Sequence, residues 1–135
     1  MPQFEMPGAT APKFRQLDSF TQGYIGAMFF TDTPDDEERN DWTFTALAPE
    51  TLQRIIDDCI NFQAQATGPL VAACSDDEIG YECSQAGRDF WFTRNRHGAG
   101  FWDRNLGTAG EALTAIAELY DDIYPYLGDD GLIHF

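Results

Sequence analysis

The sequence predicts an α+β fold: one domain built on an antiparallel β-sheet with a central aromatic hairpin, and about two main helices packed on one face. Three observations predict it. Aromatic and β-branched runs come in neighbouring pairs along the chain, not singly between helices. Turn residues separate those pairs, Asn95, His97, Gly98 and Gly100 in one case and Asp129, Asp130 and Gly131 in the other. Two other segments, opening near Pro49 and Thr108, carry apolar residues at helical spacing. At 135 residues and 43% hydrophobic content, the chain has material for a single core.

Taken in order, residues 1–12 hold Pro2, Pro7, Gly8 and Pro12 with little apolar density, which predicts a loosely held arm ahead of a single domain over 13–135. Residues 20–31 are rich in aromatic residues, and Gly23 and Gly26 oppose a helix. The run therefore reads as a first strand starting near Tyr24. Residues 32–41, with six acids and one arginine, form a loop too charged to bury. Residues 42–44 read as a short extended piece.

Pro49 suits the first turn of a helix, where its missing N–H leaves no bond unmade. Leu52, Ile55, Ile56, Cys59 and Ile60 then mark one buried face, and Gly68-Pro69 ends the element. Residues 70–74 are helical turns or a buried connector, and residues 81–86 a loop or short helix. Residues 88–104 read as the central hairpin. Alternation puts Phe90 and Phe92 on one face, with Asp89, Trp91 and Thr93 on the other, so both faces need cover. Thr108 and Glu111 have the spacing of a capping box, followed by a stripe of Leu113, Ile116, Ala117, Tyr120 and Ile123. Two short strands around the Asp130-Gly131 turn close the chain.

Charge narrows the classes of partner. The chain carries 23 Asp and Glu against 8 Lys and Arg, a net −15. That field repels nucleic acid and anionic membrane surfaces and favours a basic protein partner. The plainer reading is that the acids only keep a small protein soluble. No run of 18 apolar residues occurs, so no membrane span is expected. Cys59, Cys74 and Cys83 are odd in number and lack a C-x-x-C pair, and no leader-like run precedes them; together these predict a reducing, cytoplasmic setting.

The turn over residues 94–100 is the one cluster with the look of a catalytic site. His97 titrates near neutrality, Arg94 and Arg96 can clamp a phosphate or carboxylate, and Asp89 or Asp103 can orient the imidazole. The structural alternative is a turn whose Asn and Gly supply positive φ and whose arginines pair with nearby acids. No dinucleotide fingerprint, P-loop lysine or nucleophile elbow is present, so no cofactor is predicted. The acidic clusters lack the spacing of a calcium-binding loop, and no metal site is predicted either. Residues 32–82 hold 13 acids and two arginines, and residues 111–130 hold six acids and no base. Asp35, Asp36, Glu37, Glu38, Asp57, Asp58, Asp76, Asp77 and Glu78 are therefore the candidate contact residues of a surface that imitates duplex phosphates.

Residues 87–95, Gly-Arg-Asp-Phe-Trp-Phe-Thr-Arg-Asn, and 97–104, His-Gly-Ala-Gly-Phe-Trp-Asp-Arg, resemble a family of small acidic proteins of bacteriophages and prophages. The likeness extends to residues 47–52 and 126–133. That family often has glycine where this chain has Arg96, and arginine there argues against a tight backbone requirement. The resemblance implies no activity. It implies a setting in which short acidic proteins inhibit host restriction or CRISPR systems, in places as DNA mimics. The leading expectation is thus a binding protein that occupies the basic surface of a host defence protein in the bacterial cytosol. The alternatives are a small enzyme acting on an anionic substrate at Arg94, Arg96, His97 and Asp103, and a phage accessory that binds another phage protein.

Overall fold

The aromatic runs read as a first strand and as the first arm of the central hairpin are helices. A computed structural model describes residues 8, 11–75 and 79–135. It is about 62% helix, with six α-helices and one two-stranded sheet among the described residues. The expected α+β sheet with helices on one face is therefore replaced by a helical domain. In order come α1 (Pro12–Arg15), α2 (Ser19–Asp32), α3 (Pro49–Gln65), α4 (Thr67–Cys74), α5 (Cys83–Arg94) and α6 (Thr108–Ala117). Short 3-10 turns occupy Glu37–Asp41, Phe44–Ala46 and Phe101–Asp103.

Helix α2 takes the place of the expected first strand. Asp18 starts it: the carboxylate accepts from the Thr21 N–H at 2.7 Å, a cap worth about 1 kcal/mol. Its apolar residues surround the helix, with Phe20, Tyr24, Ile25, Met28 and Phe29 all buried. A helix with apolar residues on every side, including the exposed Phe30, shows no 3.6-residue stripe, and its composition then resembles that of a strand. Helix α5 replaces the first arm of the expected hairpin for the same reason, burying Ala86, Phe90, Trp91 and Thr93. The second arm is the 3-10 turn Phe101–Asp103.

Two glycines set the α2–α5 crossing. A Cβ on Gly23 would lie 1.9 Å from the Ser84 carbonyl oxygen, and one on Gly87 would lie 1.8 Å from that of Phe20. The backbones touch there, which only glycine permits. Around the crossing the aromatics stack. The Phe62 ring of α3 lies 4.2 Å from Phe90 at 15°, and 5.7 Å from Phe101 at 12°. Tyr24 meets Trp91 edge-on at 5.3 Å. Each such pair contributes about 0.5–1.5 kcal/mol beyond its buried area.

The two amphipathic helices follow their sequence patterns in part, and Tyr120 and Ile123 of the expected second stripe lie beyond the end of α6. Helix α3 buries Thr51, Ile55, Cys59 and Phe62, while Ile60 faces out. It ends at Gln65, and Gly68-Pro69 falls inside the first turn of α4 instead of closing α3. Helix α6 buries Gly110, Leu113 and Ala117, but Gly107 caps it and Thr108 makes no capping bond. The expected capping box is absent there. The strands β1 (Tyr126–Leu127) and β2 (Ile133–His134) form the expected terminal hairpin, pairing Tyr126 with His134 and Leu127 with Ile133. Ile133 also bridges Leu47, and its carbonyl accepts from Ala48 N–H, which ties the hairpin to the start of α3. Of the expected N-terminal arm, Gly8 rests on Phe44 and accepts from the Ala11 N–H at 2.9 Å, Pro12 opens α1, and residues 1–7, 9 and 10 lie outside the described residues. Among the described residues no helix is long and apolar enough to cross a membrane.

Candidate functional site

Helix α5 ends in a Schellman turn. The Arg96 N–H donates to Thr93 O at 3.2 Å and the His97 N–H to Phe92 O at 3.0 Å, with Arg96 at φ +56°. The tight backbone requirement that arginine argued against is therefore present at this position. The same turn separates the residues that the sequence groups together. Arg94 points inward, only 1% exposed. Its guanidinium donates to Asp58 Oδ2 at 2.8 Å, to Tyr24 Oη at 3.2 Å, and twice to the Asp121 carbonyl at 2.7 and 3.1 Å. It also lies over the Phe90 and Tyr120 rings. Arg94 is thus engaged on all sides by the fold.

Arg96 and His97 are exposed beside the end of α2 and the segment after α6. Arg96 pairs with Asp122, and Tyr124 Oη donates to the same carboxylate at 2.9 Å. The His97 ring stacks 6.5 Å from Trp91. Burial raises the carboxyl of nearby Asp32 above its usual range, against the opposing pull of the Thr31 hydroxyl and His97. No hydrogen bond or ion pair among the described residues joins His97 to Asp89 or Asp103. Asp103 is exposed at the end of the 3-10 turn Phe101–Asp103. The turn therefore presents one imidazole and one paired arginine, with no general base aligned on either.

Asp89 has different partners from the one expected. It is fully buried, and its two oxygens accept from Arg104 Nε (both 3.1 Å), Arg104 Nη2 (2.9 Å), Tyr81 Oη (2.6 Å) and Gln85 Nε2 (3.1 Å). Those hydrogen bonds and the carboxylate charge hold Arg104 above the usual arginine range. Burial, then the neighbouring carboxylate, pushes the Tyr81 phenol upward. Tyr81, Gln85 and Arg104 together form the floor of an open cleft of about 290 Å³. Gln85 and Asp89 are four apart on α5, so the i, i+4 spacing was a signal for this contact. The partners Tyr81 and Arg104 come from outside the helix and carry no such signal.

The acids proposed as contacts divide into three groups. Asp35, Asp36, Glu37 and Glu38 are exposed on the loop after α2 and its 3-10 turn. Asp36 caps that turn by accepting from Glu38 N–H at 2.9 Å, and Glu38 accepts from the buried Trp42 indole at 3.2 Å. Asp57 is exposed on α3, accepting only from Gln53. Asp58 points the other way, into the Arg94 network, with its side chain 19% exposed. Asp76, Asp77 and Glu78 lie outside the described residues. Comparison of the chain with protein-family models, curated proteins and solved structures finds no match.

Proposed function

We propose that this protein works by binding, occupying the basic, nucleic-acid-binding surface of another protein through its exposed acids. The partner class follows the phage resemblance: a host restriction or CRISPR component met in the bacterial cytosol. One observation carries the reading. Arg94 and Arg104 are drawn inward onto Asp58 and Asp89, while Asp35, Asp36, Glu37 and Asp57 remain outside without a basic partner within 4 Å among the described residues. Each of those pairs is neutral, so the outer surface keeps the whole net −15 with fewer arginines among its acids. A field of that sign steers a basic partner and excludes nucleic acid from the same encounter.

The test begins with capture of a partner from a bacterial lysate at low salt, followed by affinity measured from about 50 to 200 mM salt. Binding should fall steeply, and the quadruple substitution D35N/D36N/E37Q/E38Q should both weaken it and flatten the salt slope. Duplex DNA should compete for the partner. An affinity that hardly changes across the salt series would overturn electrostatic occupation as the mechanism.

A further inference from the structure

In a chain of net −15, one cleft is lined by two arginines whose guanidinium ends are not fully used. Arg104 spends Nε and Nη2 on Asp89, and its Nη1 donates to no described residue. Among the described residues Arg88, half-buried on α5, gives only Nε to Gln85 Oε1 at 3.4 Å and pairs with no acid within 4 Å. The two arginines face the same 290 Å³ of open space.

The cleft floor is rigid. Asp89, buried and holding four donor groups, fixes Arg104, Tyr81 and Gln85 at once, and Gln85 links that set to Arg88. A guanidinium held by its own carboxylate on one edge presents its other edge in a defined direction. The first turn of α5 borders the same cleft with no side-chain cap at Glu82, adding the positive end of a helix. Among the described residues three carboxylates oppose an anion there: Glu82 on the rim, which accepts from the Ser84 hydroxyl at 3.5 Å, Asp89 beneath Arg104, and Asp103, whose charge also acts on Arg104.

We infer that this cleft is a binding site for a small molecule bearing a carboxylate or phosphate group, held between Arg88 and the free edge of Arg104. Arg88 is the capturing residue, and Arg104 is oriented by Asp89. The site is separate from the acidic surface of the proposed function and stands without it.

The test is a titration of the full chain with inorganic phosphate and, separately, with acetate, followed by amide and arginine Nε–H NMR shifts at constant ionic strength with chloride as control. Saturable shifts at Arg88, Arg104 and Gln85 are expected, with a Kd of about 1 mM or tighter for at least one anion; the two arms distinguish phosphate from carboxylate. Arg88→Gln should weaken binding at least about tenfold with an unchanged melting temperature. Glu82→Gln should tighten it severalfold by removing the rim charge. Shifts that match the chloride control, or binding that survives Arg88→Gln intact, would overturn the site.

Discussion

At φ +56° Arg96 holds a left-handed conformation that an L side chain adopts at a cost of about 1 kcal/mol. It does so because the Schellman turn needs that conformation one residue past the end of α5, where glycine is the usual occupant. Its ion pair with Asp122 offsets little of this, since the two side chains are 59% and 36% exposed and water screens them. Arg96→Gly should therefore stabilise the protein by about 0.5 kcal/mol in urea unfolding, after the extra freedom of glycine in the unfolded chain is allowed for. A destabilised variant would mean that the Asp122 pair outweighs the backbone strain. Arg94 and Asp89 show the limit of reading residues singly. Both belong to the segment that looked most like a site, and both are held inside by partners distant in sequence.

Among the elements, α2 and α5 decide the architecture through their crossing. Gly87→Ala would drive a Cβ to 1.8 Å from the Phe20 carbonyl oxygen, backbone against backbone, and the helices would have to separate. A loss of about 3 kcal/mol or more is expected in denaturant unfolding. Gly26 is the internal control, because it lies in α2, the other helix of the crossing, and its added Cβ meets nothing within 4 Å. Gly26→Ala should stabilise by up to about 1 kcal/mol through helix propensity alone. If the two substitutions behaved alike, the glycine contact would not be what holds the crossing together. These elements were also the hardest to read in the sequence. Residues 20–31 and 88–94 carry apolar residues on every side, so the period that separates helix from strand is missing. Two local signals favoured helix. Asp18 sits three residues before Thr21, which it caps, and runs of 14 and 12 residues exceed an ordinary strand. Helices α3 and α6 lie at the periphery with one apolar face each, and their stripes were legible.

For the whole molecule, carboxylates set the response to pH, and they act in opposite senses. Burial of Asp18 works against its ionised form, but the hydrogen bonds from Thr21 and Gln63 outweigh it and lower the folded value below 3.8. Asp130 is lowered by the Leu132 N–H and by His134. Stability from these two groups is present above their unfolded value and is lost as pH falls through the lower folded one. Asp32 is raised, chiefly by burial, so in the window between its unfolded and folded values the native state binds the extra proton. Its contribution therefore grows as pH falls through the folded value. Self-repulsion of a −15 chain also eases as acids protonate. Thermal unfolding should consequently show maximum stability at mildly acidic pH, near 5, with a decline below about 4. A melting temperature that rises steadily from pH 5 to 8 would contradict this balance.

The sequence by itself determined the composition-level properties and the elements that face water: the strong negative charge, the exposed acids at residues 35–38, the periods of α3 and α6, and the terminal hairpin with its Asp-Gly turn. These follow from local chemistry, because an element with one wet face must write that face into its residues. Only the tertiary structure decided that the aromatic runs are helices, that Gly23 and Gly87 are contact points, and that Arg94, Asp89 and Arg104 are internal pairs. The reason is physical. A segment buried on all sides has no solvent boundary to impose a period, and an ion pair between distant residues leaves no spacing in the chain. The segment over residues 88–104, which looked like a hairpin with a reactive tip, is the central helix α5 and its exit, and its arginines divide between the core (Arg94), a cleft (Arg88 and Arg104) and the exposed turn (Arg96).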